Sequence, residues 1–464
     1  MRYYIHLVLP EKLNFAIFPV MIKMLKDHFD LEKNGTDIKT EFIAGATTFM
    51  TMAYIIFVNP AILSAPGGSN MDFSAVTAAT CIAAAFATLM MGFIANYPIA
   101  LAPGMGLNAF FSFVVCGKMG VPWQTALGIV FASGVIFTLL SASQIRELIV
   151  NSIPRSLKLA SAAGIGLFIA FIGLKSAGFV VADPNTFVTL GALSSAPSLL
   201  SFAGLIILIT LLARKVKGAI LISILITGII GISFGMIEFK NIIGTADLSK
   251  ISFKLDIIDI FQLKYLAPIL IFLFFDMFDT IGTLVGVGEQ AGFIKDGKLP
   301  RGNRALVSDS VGTIVGSLLG TSTVTSYIES SAGISSGGRT GLANVFTSLF
   351  FITALLFVPL AEMFGGGYQV SENVFLYPVT APALIVVGSL MMTNIRKIQW
   401  SDITEAFPAF LTIILMPLTF SIAEGLAAGF VFYAFLKLVS GRSHEANWLV
   451  YGLSLILILR YIFL

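Results

Sequence analysis

The sequence predicts an all-α polytopic membrane protein of fourteen transmembrane segments, arranged as two inverted repeats of seven. Of its 464 residues, 57% are hydrophobic and 11% charged, with a mean hydropathy of +0.93. A soluble domain carries roughly 25% charge. Apolar windows of about twenty residues, the length a helix needs to cross a bilayer, recur along the chain, whereas barrel strands would alternate over about ten. Finally, one segment in each half is broken by small or polar residues at the same, third place. Paired interruptions of this kind mark internally repeated transporters and point to their site.

Taken in order, residues 40–63 read as segment one and 73–93 as segment two. Residues 96–116, NYPIALAPGMGLNAFFSFVVC, are interrupted by Pro98, Pro103, Gly104 and Gly106, so segment three is a short extended stretch followed by a half-helix. Segments four to seven fall at 123–141, 159–182, 201–213 and 218–237. After a polar connection, 238–262, segment eight occupies 265–291 and segment nine 305–320. Segment ten, 321–338, is the second interrupted one. Its Thr, Val and Tyr suit an extended run, and Glu329, Ser330 and Ser331 would open the half-helix. The remaining segments are 341–364, 374–392, 405–420 and 424–438, with 447–464 an apolar tail expected to lie along the membrane interface.

Charge bias orients this scheme. All but six of the 28 Lys and Arg fall on the side of the N-terminus; the six are Lys118, Lys175, Lys240, Lys250, Lys254 and Lys264. The expectation is a multi-pass protein of the plasma (inner) membrane with both termini cytoplasmic. A net charge of +3 spread over loops gives no sign of nucleic-acid binding. Cys81 and Cys116 sit in or beside apolar segments without a CxxC pattern, which argues for packed thiols and against a metal or disulfide.

The chemistry concentrates in ILIFLFFDMFDTIGTLVGVGE, residues 269–289. An acid inside a membrane segment costs roughly 2.5–3.5 kcal/mol, so Asp276 and Asp279 on one helix mark a working site. Three residues apart, they share a face. Glu329 in TSTVTSYIESSAGISSGG adds a third acid, and the two stretches read as halves of one polar pocket. Free N–H groups at the half-helix starts would donate into that pocket, while the acids accept. That combination suits a flat heterocycle bearing both N–H and C=O groups. Phe275, Phe278, Phe110 and Tyr327 are candidates to sandwich its ring. Met105, Asn108 and Ser330 are placed at the pocket by their half-helices. Asp276, Asp309, Thr48 and Thr283 are candidates for proton coupling or for holding the acids in place. No Lys, Arg or His lies near the acids within either stretch, so one of them is expected to load and release a proton. Gly312, Gly316 and Gly320 form a small-xxx-small packing run.

Several stretches together carry a resemblance: TEFIAGATTFMTMAYIIFVNPAIL, APGMGLNAFFSF, FFDMFDTIGTLVGVGEQAG and RALVSDSVGTIVGSLLGTSTVTSYIESSAGISSGGRTG. The chain resembles the AzgA-like adenine/guanine/hypoxanthine permeases, a branch of the nucleobase/ascorbate transporter superfamily. The resemblance implies a core domain (40–158 and 264–366) and a gate domain (159–263 and 367–441), flanked by an N-terminal arm (1–39) and the tail (442–464). It implies proton-coupled uptake of a purine nucleobase as core moves against gate, with no cofactor, sodium as the alternative coupling ion, and a homodimer left open. Asp279 falls at the superfamily's substrate-contacting acid of segment eight, and Glu329 at that of segment ten, two residues after Tyr327. The wider superfamily's Asn-x-Gly after the second acid is replaced by SSAG, which weakens any inference toward xanthine or uracil.

Three rival functions compete with this reading. An inorganic-anion transporter on the same fold should present positive charge or bare helix starts, not acids, at its site. An intramembrane aspartyl protease should draw its aspartates from two facing helices, one within Gly-x-Gly-Asp, where this chain has GVGE at 286–289. A cation channel needs the acids but not the aromatics. The reading is therefore of a transporter and not an enzyme.

Overall fold

In the computed structural model, which describes residues 23–142, 154–294, 299–371 and 374–463, most elements are helices and the strands are short. Residues 1–22 of the arm, and Arg146 of the link after segment four, lie outside the described residues. Among those described, seven helices are long and apolar enough to cross a membrane, and shorter apolar helices accompany them.

The first half comprises α1 (Ile38–Met52), α2 (Ile55–Leu63), α3 (Phe73–Met90), β1 (Leu101–Pro103), α4 (Met105–Ala109), α5 (Trp123–Ala142), α6 (Arg155–Ser176), the hairpin β2 (Val180–Asp183) and β3 (Phe187–Leu190), α7 (Ala196–Ala213) and α8 (Ala219–Ser233). Aspartates start two of these helices by accepting orphan backbone N–H groups: Asp37 from Thr40 at 2.7 Å and Asp72 from Ala75 at 2.9 Å. α4 continues in wider, π-type turns to Lys118.

The second half comprises α9 (Leu266–Gln290), α10 (Gly302–Leu319), β4 (Val324–Ser326), α11 (Ser330–Ser335), α12 (Leu342–Ala354), α13 (Val358–Gly365), the hairpin β5 (Tyr368–Ser371) and β6 (Val374–Leu376), α14 (Ala381–Met391), α15 (Ile403–Leu418), α16 (Ile422–Val439) and α17 (Trp448–Phe463).

Two groups of helices emerge from the packing. In one, α1 lies on α12, α3 on α10 and α12, and α5 on α9 and α10. In the other, α6 lies on α14 and α15, α15 on α16, and α7 on α8 and α14. Missing side chains permit the closest contacts: a Cβ at Gly92 would lie 2.7 Å from the Gly341 carbonyl oxygen, and one at Gly166 2.7 Å from that of Gly388.

Several predicted boundaries change. Segment five stops at Ser176, because Gly178 turns at φ +73° into the β2–β3 hairpin. The start of predicted segment twelve is strand: Val374–Leu376 pairs with Tyr368–Ser371, and the helix waits for Ala381 with Pro382 in its first turn. Segment eleven breaks before Val358, where Pro359 cannot continue a hydrogen-bonded helix. Gly312 and Gly316 pack as expected against Ala87 and Val324 and Gly320 against Ile251, and Gly320, at φ +101°, also terminates α10.

The tail packs on its neighbour. It was expected along the interface, yet α17 runs antiparallel beside α16. Val450 packs with Tyr433 and Ala434, the Ser454 hydroxyl donates to the Phe430 carbonyl at 3.0 Å, and Ile458 and Ile462 share a crevice with Glu424 and Ala427. The helix therefore ends level with the start of α16, opposite the turn that joins the two.

Candidate functional site

The site is assembled where the two interrupted segments cross. β1 and β4 pair antiparallel over three residues, Leu101 opposite Ser326, Ala102 opposite Thr325 and Pro103 opposite Val324. Neighbouring groups extend the pairing: Gly104 N–H donates to the Thr323 carbonyl and Tyr327 N–H to that of Ala100, each at 2.9 Å. The Ser330 hydroxyl accepts from Ala100 N–H at 2.9 Å, and the Tyr327 hydroxyl donates to the Pro103 carbonyl at 2.5 Å. Extended backbone that lipid could not satisfy is thus satisfied by its counterpart in the other half. The helix starts that follow are Met105 and Ser330, both buried. α11 is only six residues long, so its dipole is weaker than a full half-helix would supply.

Against this crossing lies the acidic face of α9. Asp276 is buried; Asp279 is half-buried, with half-buried Thr283 one turn further along. The Thr313 hydroxyl lies 2.9 Å from Asp276 Oδ2 and also bridges the backbone of Val324. Asp309 Oδ1 accepts from the Thr280 hydroxyl at 2.7 Å, which lies 2.9 Å from the Thr325 hydroxyl. Thr325 in turn reaches Asp279 Oδ2 at 3.4 Å. A line of hydroxyls therefore joins Asp309 to Asp279. Among the described residues, Oδ1 of Asp276 and Oδ2 of Asp309 have no hydrogen-bond partner.

Glu329, half-buried at the start of α11, accepts from the Tyr54 hydroxyl at 2.6 Å, and its carbonyl is approached by the Thr51 hydroxyl at 3.4 Å. It lies close enough to Asp279 for their charges to interact. None of the ion pairs among the described residues involves Asp276, Asp279, Asp309 or Glu329.

Other expected residues are placed differently. Asn108 is buried and donates to Asn59 Oδ1 at 2.8 Å, while Asn59 donates to Thr80 and Thr321; this network fixes α4 to its neighbours. Thr48 is buried with its hydroxyl against Gly333 of α11. Phe110 packs edge-on to Phe272 at 5.1 Å and Phe275 is 2% exposed, so both rings are filled into the hydrophobic interior. Phe278, stacked on Phe274 at 6.1 Å, keeps a partly open face.

Tyr54, Thr280, Thr313 and Thr325 contact the acids and were not among the expected site residues. Thr280 follows Asp279 directly, but nothing in the linear sequence shows that it reaches across to α10.

The sequence from residue 39 to 428 matches the family model Xan_ur_permease, the Permease family. The chain belongs to this family, in its AzgA-like branch. The permease is 46% identical over 450 residues to the guanine/hypoxanthine permease PbuG of Bacillus subtilis, covering 95% of this chain and 100% of that one. It is 42% identical over 443 residues to the adenine permease AdeP of Escherichia coli, covering 95% and 96%. Among solved structures it is similar to the transmembrane domain of the cyanobacterial bicarbonate transporter BicA, with a TM-score of 0.61 at 16% identity over 84% of this chain and 96% of that one. The similarity to SLC26A9 gives 0.62 at 11% identity, covering 95% and 72%. These two establish the fold alone. The permease is a helical, polytopic membrane protein of that architecture, and it is not an enzyme.

Proposed function

We propose that this permease takes up a purine nucleobase, guanine or hypoxanthine and adenine being the candidates, in symport with protons across the cytoplasmic membrane. What carries the reading is the pair of relatives named for purine transport at 46% and 42% identity over nearly the whole chain. The acids agree with it. In this account Asp279 and Glu329 accept N–H groups of the base near the β1–β4 crossing, Phe278 covers its ring, and the helix starts at Met105 and Ser330 border the pocket. Tyr327, tied to Pro103, shapes the wall; Asn108, Thr48 and Thr283 support it.

Asp276 and Asp309 are the proton carriers in this account. Each is fully buried, each has one unpartnered oxygen, and they are near enough to interact. Buried acids without a cation beside them are the groups that take up and release a proton in a membrane transporter. Fourteen segments as two inverted repeats, with α1–α5 and α9–α13 as core and α6–α8 and α14–α16 as gate, give the movement its parts. The excess of Lys and Arg puts the N-terminal arm on the cytoplasmic side, and α17 is an additional crossing that leads outward. An inorganic anion suits the architecture of BicA but not a site lined with acids. The test is uptake of labelled hypoxanthine by proteoliposomes under an inward proton gradient, competed by unlabelled adenine and guanine. Accumulation that collapses with an uncoupler and is competed by a purine supports the reading, and transport of bicarbonate in its place overturns it.

A further inference from the structure

Away from the acids, a polar cavity of about 740 Å³ opens between the start of α6, the turn before α15 and the link between α16 and α17. Arg155, Lys158, Lys397, His444, Glu405 and Glu445 line it. Its carboxylates are already engaged. Glu405 accepts from Ser156, from the Tyr433 hydroxyl at 3.2 Å and from Lys437 at 2.8 Å. Glu445 is bound by Lys437 at 2.8 Å and by Arg442 at 2.7 Å, and Arg442 also holds Asp402 at 2.7 Å. Arg442 and then Lys437 keep the Glu445 carboxyl down at about 2, so it stays charged and committed.

Among the described residues the cations are in excess: Arg155, Lys397, Lys437 and Arg442 outnumber Asp402, Glu405 and Glu445, and Arg155 and Lys397 have neither ion pair nor hydrogen bond. α6 starts here behind Pro154 without a side-chain cap, which adds backbone donors to the same wall. The cavity is on the side favoured by Lys and Arg, at the depth where a helix of membrane-crossing length emerges.

We infer that this cavity binds a phosphate-bearing anion, gripped by Arg155 and Lys397 with His444 at its rim. Arg155 supplies a planar fork for phosphate oxygens and Lys397 a mobile point charge. A phospholipid headgroup and a small soluble phosphate ester share this chemistry. The site is independent of the purine reading, since none of these residues belongs to the acidic crossing.

The test uses the full-length protein and an Arg155→Gln/Lys397→Gln double variant. In one arm, thermal unfolding in detergent is followed against inorganic phosphate and glycerol 3-phosphate, with chloride at matched ionic strength. In the other, native mass spectrometry follows retention of phosphatidylglycerol against phosphatidylcholine from nanodiscs. Phosphate stabilisation with an affinity about tenfold weaker in the double variant identifies a soluble ligand. Selective retention of phosphatidylglycerol that the variant loses, without a phosphate response, identifies a headgroup. Lys397→Gln alone, on an exposed turn, carries the comparison if the double variant does not fold. Equal responses in wild type and variant in both arms, or none in either, overturn the site and leave only a cationic surface facing the cytoplasm.

Discussion

Two clusters of ionisable groups in this permease are built on opposite plans. In the group containing α9 and α10, Asp276, Asp279, Asp309 and Glu329 meet, among the described residues, hydroxyls, backbone and one another and no cation. In the group containing α15 and α16, Glu405 and Glu445 meet Lys437, whose side chain is 0% exposed, and Arg442 completes the network. Glu41 follows a third plan, accepting from the backbone N–H groups of Arg339, Thr340 and Ala343. Glu405 is therefore paired with a cation and Glu41 is hydrogen-bonded by backbone N–H groups, and both hold helices together. The acids of the crossing are not, and a membrane protein retains uncompensated buried acids where they bind or move something.

The comparison is most sharply broken by removing the acceptors. Asp279→Asn and Glu329→Gln should each lower hypoxanthine uptake by about 100-fold, the order of a charged hydrogen bond worth ~3 kcal/mol, while the unfolding temperature in detergent stays near that of wild type. A variant that keeps uptake would place the base elsewhere. Asp309→Asn should divide transport into its parts. Accumulation driven by a proton gradient falls by about tenfold, while counterflow, which needs no gradient, changes by less than about twofold. A parallel fall in both would make Asp309 part of the binding pocket.

The other cluster should respond in stability. Lys437→Met leaves Glu405 without its cation and should cost about 3 kcal/mol, read as a lower unfolding temperature, with uptake per folded molecule unchanged and partial recovery on adding Glu405→Gln. The smallest effect concerns the rim. Arg442 and then Thr404 hold the Asp402 carboxyl down to about 2, from an ordinary value of 3.8. Since the folded value is the lower one, this contribution is complete above the ordinary value and lost as pH falls toward about 2. Arg442→Gln should thus lower stability slightly at neutral pH, leave it nearly unchanged near pH 2, and so flatten the acid limb of a stability–pH curve.

Much of this was legible in the sequence because bilayers permit few solutions. Apolar windows gave the helices, and Pro98, Pro103 and the Thr-rich run before Glu329 gave the crossing strands. What escaped were pairings across helices. Spacing along one helix put Asp276 and Asp279 on one face, but no spacing could tell that Thr280 serves Asp309, that Thr313 serves Asp276, or that Asn108 faces Asn59. Tyr54 lay hidden in an apolar run whose hydroxyl had no visible partner. Residues 180–182 and 374–376 were read into helices because short β-branched, apolar runs carry no period that separates strand from helix. The tail's direction escaped for a related reason: apolar composition reports burial, whereas the contacts of Ser454 with Phe430 report orientation.

The central claim is that the unpaired acids of the crossing bind the base and pass a proton with it. Proteoliposomes loaded with a pH-sensitive dye test it most directly, with hypoxanthine added outside and no imposed gradient. Internal acidification that keeps pace with entry of the base in wild type, and is absent in Asp309→Asn while the base still exchanges, is the expected result. Hypoxanthine entry without any change of internal pH in the intact protein would contradict the account.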